Sequence, residues 1–175
     1  MEEKEILEQF KKGEEEAFFH LLDLYENEVF TLALRILGNS EDARDASQEA
    51  WLRIYRGLNH FKGESTLKTW IYRITFNTSL SELKKKRRLT SLPLDEEIVG
   101  EFPEEYGEIE SALLNLPDKY RSAVSLKDIY GYPYEEIARI MKISLSSAKV
   151  LVHRGRIKLK NRLAEAGINE VKKWI

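Results

Sequence analysis

Apolar side chains between residues 14 and 38 recur at spacings of three and four positions, which is the period of a helix that buries one face. The stripe contains Ala17, Phe18, Leu21, Leu22, Tyr25, Val29, Leu32, Ala33 and Ile36. Gly38 predicts the end of this helix, and Asn39 or Ser40 predicts the start of a second one that runs to about Leu58.

A loop and a third helix complete the N-terminal half of the chain. Residues 59–65 contain Gly63 and several polar side chains, which is typical of a loop. From about Thr66 to Arg88 an apolar stripe returns at helical spacing, and the segment ends in five consecutive basic residues. No segment alternates between apolar and polar positions as a half-buried strand does, so the pattern predicts a nearly all-α protein.

Residues 89–107 interrupt the helical pattern with two prolines, two glycines and a cluster of acidic side chains, which predicts a linker. A second helical unit follows, in which Pro117 is expected at the first position of a helix. The expected fold class is therefore all-α, with two small helical domains, residues 1–88 and 108–175, joined by a flexible acidic linker.

The formal net charge of −2 hides a strong segregation of charge along the chain. Residues 1–50 hold five basic and 14 acidic side chains, and residues 51–88 hold ten basic and two acidic ones. Residues 89–118 hold nine acidic side chains and no basic one, whereas residues 119–175 hold 13 basic and five acidic ones. Two basic blocks separated by an acidic one suggest two separate contacts with a polyanion, although charge runs also form ordinary solvated faces.

The composition argues against several classes of protein. The chain has no cysteine, which excludes a disulfide scaffold, thiolate metal sites and thiol catalysis, and the expected location is a reducing cytoplasm. No apolar run approaches the roughly 20 residues that span a bilayer, so we expect no membrane segment. The glycine-rich phosphate and dinucleotide motifs and the H-E-x-x-H zinc motif are missing, so we expect no enzyme, no cofactor and no metal site.

Residues 134–141 and 145–164 predict two helices across a very short turn, which is typical of a helix-turn-helix. Its small core would use Ile137, Ala138, Met141, Ile143, Ala148 and Leu151. Ser144 is expected to cap the second helix, and Lys142 stands where such turns often prefer glycine. A helical hairpin with a solvated basic face remains the alternative.

The second of these helices offers small hydroxyls and cations at its exposed positions. Hydroxyls at a helix N-terminus suit phosphate groups, and Lys149 and Arg154 could reach guanine edges in a major groove. The candidate residues for double-stranded DNA are Ser146, Ser147, Lys149, Val150, His153, Arg154 and Arg156.

Aromatic and basic side chains interleave in the loop and third helix of the N-terminal half. Unstacked bases can lie on aromatic rings while cations hold the phosphates, so this pattern favours single-stranded nucleic acid. The candidate residues are Phe61, Lys62, Ser65, Lys68, Tyr72, Arg73, Phe76 and Asn77. Alternatively, the aromatic residues of this segment belong to the core. The pattern favours a core position for Trp70, and for Phe61, Tyr72 and Phe76 both interpretations remain open.

The helix before that loop carries a tryptophan among mixed charges, which suggests a protein interface. The candidate residues of this interface are Asp45, Gln48, Glu49, Trp51 and Arg53. The alternative is a partly buried tryptophan beside surface salt bridges.

Six segments resemble parts of the extracytoplasmic-function, or group-four, bacterial sigma factors. Those similar to region two are residues 45–53 (DASQEAWLR), residues 61–65 (FKGES) and residues 69–74 (TWIYRI) followed by Asn77. Those similar to region four are residues 116–121 (LPDKYR), residues 134–138 (YEEIA) and residues 149–156. The resemblance covers about residues 5–164, in the family's order and with its linker.

The resemblance implies a sigma factor that binds core RNA polymerase, directs it to promoter DNA and helps to open the duplex. The interface candidates would dock on a coiled coil of the largest polymerase subunit. Phe61 and Asn77 match positions that line the pocket for a flipped base of the minus-ten element. Lys149, His153 and Arg154 match positions that read the minus-thirty-five element, and an anti-sigma partner is also implied.

Two departures from the family pattern affect the expected promoter sequence. Pro133 replaces the serine that commonly caps the first helix of the region-four motif, and residues 146–148 read Ser-Ser-Ala where Gly-Thr-Val is frequent. Two competing hypotheses remain: a stand-alone helix-turn-helix regulator, in which residues 1–88 dimerise or bind a ligand, and a helical enzyme.

Overall fold

The computed structural model describes residues 3–90 and 107–168, and every regular element in these two ranges is helical. The α-helices are α1 (Glu3–Lys11), α2 (Glu16–Leu37), α3 (Ser40–Leu58), α4 (Leu67–Thr90), α5 (Glu108–Leu114), α6 (Asp118–Val124), α7 (Tyr134–Met141) and α8 (Leu145–Glu165). A π-helical turn, Ser125–Ile129, continues α6. The all-α fold class is confirmed, whereas most of the predicted linker, residues 91–106, lies outside the described residues.

Helices α2 and α3 meet at the boundary that the sequence predicts. Gly38 adopts the left-handed backbone conformation with a φ of 77°, and its N–H donates to the carbonyl oxygen of Leu34 at 2.8 Å. The side chain of Asn39 accepts a hydrogen bond from the Asp42 N–H at 2.8 Å and thereby caps α3. The sharp corner between the two helices is therefore fixed by one glycine and one asparagine.

Helix α1 is an element that the predicted helix over residues 14–38 did not include. Its Ile6 and Phe10 are buried and lie one turn apart on the same face. The ring of Phe10 meets that of Tyr55 edge-on, with centroids 5.4 Å apart. A segment of nine residues with two buried positions is too short for helical periodicity to stand out in the sequence.

Helices α1 to α4 form an N-terminal bundle with its core between α2, α3 and α4. Its completely buried side chains include Leu21, Leu32, Ile54, Leu58 and Ile71. Helix α4 also buries hydroxyl groups: Thr75 Oγ1 donates to the carbonyl oxygen of Ile71 at 3.0 Å, and Ser79 Oγ donates to that of Thr75 at 2.9 Å. These local hydrogen bonds satisfy the hydroxyls, so this partly polar helix still packs into the core.

Helices α5 to α8 form a C-terminal unit in which α8 crosses α6 at Gly155. A Cβ at that position would lie 2.6 Å from Val124 Cγ2, so only glycine allows this approach. Lys142, between α7 and α8, has a φ of 57°, as its place in the predicted turn suggests. Pro117 is extended with a ψ of 140° and precedes α6 as its N-cap, so its predicted position is wrong by one residue.

The two units pack directly against each other, α2 against α6 and α4 against α7. Arg121 of α6 is completely buried, and its guanidinium donates to the carbonyl oxygens of Arg35 at 2.7 Å and Ile36 at 2.9 Å. Both carbonyls belong to the last turn of α2, where helix geometry leaves carbonyl groups without a partner in the helix itself. An arginine from the C-terminal unit thus completes the hydrogen bonding of the N-terminal bundle.

Candidate nucleic-acid and protein interfaces

Helix α8 presents one exposed face that contains six of the seven predicted residues for double-stranded DNA. Its buried face contains Ala148, Val152 and Gly155, which pack towards α6 and α7. The exposed residues are Ser146, Ser147, Lys149, Val150, His153 and Arg154. Because burial follows the opposite side of the same helix, this face is free for a partner to approach.

The N-terminus of α8 gathers three serine hydroxyls. Ser144 Oγ accepts a hydrogen bond from the Ser147 N–H at 3.1 Å, as the predicted cap requires. It also lies 2.9 Å from Ser146 Oγ and 2.8 Å from Ser147 Oγ. Backbone N–H groups and hydroxyls at the positive end of a helix dipole suit a phosphate group.

Arg156 differs from the other predicted DNA-binding residues because it has a partner within the protein. Its Nε donates to Asp128 Oδ2 at 3.0 Å, and its Nη2 also pairs with this carboxylate. The hydrogen bond to Asp128 raises the pKa of Arg156. This side chain therefore joins α8 to the π-helical turn, and the structure supports an internal packing role for it.

The loop between α3 and α4 forms an open pocket of about 400 Å³. Its lining residues are His60, Phe61, Lys62, Glu64, Ser65, Trp70 and Arg73. The rings of Phe61 and Trp70 lie with centroids 5.3 Å apart and planes inclined at 54°. The structure thus brings four candidates for single-stranded DNA together, namely Phe61, Lys62, Ser65 and Arg73.

The pocket also contains Trp70, which the sequence pattern favoured as a core residue. Trp70 follows the apolar stripe of α4, yet it is only half-buried and its ring packs against Phe61. Periodicity did not distinguish a ring at the edge of the core from one inside it. The aromatic pair places two tilted rings beside cations, and a ring face next to a cation is the kind of surface on which an unpaired base stacks.

The remaining four candidates of this group lie outside the pocket lining. Lys68 Nζ pairs with Glu28 at 3.0 Å and lies 5.4 Å from the ring centroid of Tyr72, and the hydrogen bond to Glu28 raises the pKa of Lys68. Asn77 is exposed. Tyr72 and Phe76 are both buried, so the structure places these two rings in the core rather than on a base-stacking surface.

Four of the five candidates for a protein interface are exposed or half-buried on α3. Asp45, Gln48 and Arg53 are exposed, and Arg53 Nε pairs with Glu49 Oε1 at 2.7 Å. Trp51 is 9% exposed and meets the ring of Phe18 edge-on at 5.8 Å, which favours the alternative of a buried tryptophan beside a surface salt bridge. The ring is buried because α2 supplies an aromatic partner that α3 alone does not reveal.

An apolar groove of about 810 Å³ runs between α2 and α3, with Trp51 among its lining residues. Its other apolar lining residues are Phe18, Phe19, Leu22, Phe30, Leu52 and Tyr55. Phe19 is 62% exposed and Leu52 is 51% exposed. The apolar pattern makes Leu52 available for burial in α3 and does not single out Phe19, so the sequence does not predict that these two side chains are exposed in a groove.

In residues 3–90 and 107–168 no group of three or more His, Asp or Glu side chains is arranged to hold a metal ion. None of the helices in these ranges combines the length and the apolar character needed to cross a bilayer.

Two regions of one protein family match consecutive parts of the chain. Sigma-70 region 2 matches residues 21–89, and Sigma-70, region 4 matches residues 106–159. The first covers most of α2, all of α3 and nearly all of α4, and the second runs from α5 through α7 into α8.

Curated relatives match nearly the whole chain. It is 32% identical to the ECF RNA polymerase sigma factor SigW of Bacillus subtilis, over 93% of this chain and 97% of that protein. It is 27% identical to the RNA polymerase sigma-H factor of Pseudomonas aeruginosa, over 89% and 90% of the two chains. The sigma factor RpoE of Bartonella quintana, solved in complex with the anti-sigma factor NepR, shares the fold with a TM-score of 0.63. That comparison has 24% identity and covers 84% of this chain and 96% of the other.

Proposed function

This chain belongs to the extracytoplasmic-function sigma factors of the sigma-70 family and acts as an RNA polymerase sigma factor in transcription initiation, and from this premise we propose which surface meets which partner. The observation that carries the proposal is the presence, in one chain, of three chemically different surfaces. They are the polar, basic face of α8, the aromatic pocket of the α3–α4 loop and the apolar groove between α2 and α3.

The exposed face of α8 is proposed to read the minus-thirty-five element as intact duplex. An α-helix fits the major groove, and the first turns of α8 combine hydroxyls for phosphates with Lys149 and Arg154 for base edges. Val150 and His153 lie on the same exposed face. Residues 108–175 are the proposed unit for this task.

The pocket beside Phe61 is proposed to hold an unpaired base of the minus-ten element. A flipped base loses stacking worth a few kcal/mol, and contact with aromatic rings offsets this loss. Lys62 and Arg73 supply positive charge at the pocket for the phosphates, and Ser65 supplies a hydroxyl. Holding the base outside the duplex favours the open state, so residues 1–88 are proposed to recognise and melt this element.

The groove between α2 and α3 is proposed to dock on the coiled coil of the largest subunit of core RNA polymerase. A helical partner would place apolar side chains against Phe19 and Leu52, and the exposed charges of α3 would surround this contact. Asp45, Gln48 and Arg53 then act as polar neighbours of an apolar anchor rather than as its centre.

The proposal also covers the absence of enzymatic activity, the location in the cell and an anti-sigma partner. The polymerase carries out all bond formation, and this chain contributes recognition and strand opening without being an enzyme itself. It works where the polymerase works, in the cytoplasm. An anti-sigma factor is proposed as a further partner, supported by the Bartonella quintana relative that was solved with one.

Co-purification with core RNA polymerase tests the groove with a matched pair of variants. Leu52→Ser removes an apolar side chain that lines the groove and is 51% exposed, whereas Leu24→Ser changes a side chain of α2 that is equally exposed but lies outside the groove lining. We expect Leu52→Ser to weaken polymerase binding about tenfold or more and Leu24→Ser to leave it unchanged. Equal binding by both variants would contradict the assignment.

A further inference from the structure

An apolar side chain stands in the middle of the polar, exposed face of α8. Val150 is 45% exposed, and its neighbours one turn before and one turn after it on this face are Ser146 and Arg154. The apolar residues of α8 that join the buried clusters, such as Ala148 and Val152, lie on the opposite side of the helix. Burial within the C-terminal unit therefore gives no reason for a valine at position 150.

The side chain of Val150 has a fixed direction although it is exposed. A β-branched side chain in a helix occupies one χ1 rotamer in about 90% of cases, whereas a long side chain such as that of Lys149 samples many rotamers. The two methyl groups of Val150 therefore form a small, rigid apolar surface. Because little rotamer freedom is lost when this surface meets a partner, a contact here contributes to binding at a low cost in entropy.

The position of Val150 along α8 places it among the groups proposed to meet DNA. The helix begins at Leu145 after its cap Ser144, so Val150 lies in the second turn. The first turns of a recognition helix contact base edges in the major groove. With a rise of about 1.5 Å per residue, Val150 lies about 6 Å along the helix axis from both Ser146 and Arg154, which is less than two base-pair steps of about 3.4 Å. In the proposed docking, Val150 therefore faces base edges between the phosphate contacts and the guanine contact.

The four bases differ in what they offer to an apolar side chain in the major groove. Thymine presents a C5 methyl group there, whereas adenine, guanine and cytosine present hydrogen-bond donors and acceptors without a methyl group. The side chain of a valine supplies neither a donor nor an acceptor. Covering a polar base edge with it would leave that edge without a partner, which costs free energy.

We propose that Val150 selects one thymine of the upstream element by packing its methyl groups against the C5 methyl group of that base. The contact removes apolar surface of both partners from water, and it distinguishes thymine from the other three bases. This inference rests on the proposed role of α8, and it adds which base position 150 reads and by which contact.

Uracil is the matched probe for this contact, because it lacks the methyl group of thymine and keeps all of its hydrogen-bonding groups. An upstream element is first selected from a randomised promoter library by run-off transcription with core polymerase and the wild-type chain, and each of its thymines is then replaced in turn by deoxyuridine. We expect one position at which this replacement weakens binding of the chain–polymerase complex about three- to fivefold in a competition between the two duplexes, as for one buried methyl group. A selected element without thymine, or without a position sensitive to the replacement, would overturn the inference.

Two variants show whether Val150 makes this contact. Val150→Ala removes both methyl groups and remains folded because alanine is the better helix former, whereas Ile157→Ala shortens an apolar side chain of α8 that is 48% exposed and lies two turns further along. We expect Val150→Ala to bind the thymine and the uracil duplex equally well, and Ile157→Ala to keep the wild-type preference for thymine. The wild-type preference in Val150→Ala, or its loss in Ile157→Ala as well, would overturn the assignment to Val150.

The same measurements separate this inference from the proposed function on which it rests. Equal binding of the wild-type complex to the selected element and to a scrambled one would contradict the reading of this element by α8, and the role of Val150 with it. A clear preference for the selected element, combined with equal sensitivity to uracil in wild type and Val150→Ala, would overturn the role of Val150 alone.

Discussion

At the scale of single residues, one arginine shows how a polar side chain becomes part of the core. Arg121 donates to four carbonyl oxygens and to Asp118, and burial lowers the pKa of its guanidinium although Asp118 raises it. A Cβ at Gly38 would lie 2.8 Å from its Nη2, so the glycine that ends α2 also makes room for it. The sequence does not reveal this burial, because two of the acceptors, in Arg35 and Ile36, are more than 80 positions away.

Replacement of Arg121 tests its structural role. We expect Arg121→Ala to lower the free energy of unfolding by about 3–5 kcal/mol, because it leaves four buried carbonyl groups without their donor and leaves Asp118 with Arg87 as its remaining arginine partner. Arg139→Ala is the matched control, since its side chain is 73% exposed and pairs with Glu136 one turn earlier in α7; its effect should stay within about 0.5 kcal/mol. Urea denaturation measures both, and equal losses would contradict the account.

Gly155 gives a prediction whose sign depends on packing. Alanine at an exposed position inside a helix is more favourable than glycine by about 1 kcal/mol. At Gly155 the new Cβ would meet Val124 Cγ2 at 2.6 Å and the carbonyl oxygen of Tyr120 at 3.2 Å, and overpacking of this kind costs about 1–3 kcal/mol. We therefore expect Gly155→Ala to lower the thermal midpoint, whereas Lys160→Ala on the exposed side of α8 should leave it nearly unchanged.

At the scale of elements, the sequence predicts helix α8 and most of its exposed face, since apolar periodicity identifies the buried side and leaves the other free. It does not predict the fate of Arg156, because Asp128 lies in a different element. It also does not separate Trp70 from Phe76, which share one helix but differ in burial. Local pattern therefore determines the helix, while partners from other elements decide which of its side chains remain available.

The face of α8 predicts two distinguishable effects on DNA binding. Lys149→Ala or Arg154→Ala should weaken recognition of the upstream element by about 1–3 kcal/mol for each lost base contact, and should do so only for the matching sequence. Lys160 is an exposed cation further along α8 that we expect to contact phosphate. Lys160→Ala should therefore weaken binding to any duplex alike, since a phosphate contact carries no sequence information. Footprinting with core polymerase on matched and scrambled elements measures the difference. An unchanged footprint for both Lys149→Ala and Arg154→Ala would contradict the proposal that this face of α8 reads the upstream element.

The loop between α3 and α4 predicts a defect in strand opening that leaves duplex binding intact. Phe61→Ala removes one wall of the pocket, and Asn77→Ala removes an exposed amide that the resemblance places at the same base. In each variant we expect the promoter thymines to react less with permanganate than in wild type, because fewer of them are unpaired. The footprint on the upstream element should persist. Permanganate reactivity equal to wild type would contradict a role of Phe61 and Asn77 in strand opening.

At the scale of the whole molecule, the sequence predicts two helical units but not their contact. Charge segregation and the acidic stretch between the basic blocks indicate two separate modules. The structure contains a helical unit on each side of this stretch, α1 to α4 and α5 to α8. The pairs Arg35–Glu110 and Arg73–Glu136 join positions that are far apart in the chain, and neither periodicity nor composition reports such pairs. Sequence therefore predicts what each module contains, and the structure adds how the modules contact each other.

The central claim is that this chain gives core RNA polymerase its choice of promoter. Run-off transcription with purified core polymerase and a library of promoter fragments tests it most directly. The account predicts discrete start sites on a subset of fragments when the chain is added, and their loss in the Leu52→Ser variant. The same unselective initiation with and without the chain would contradict it.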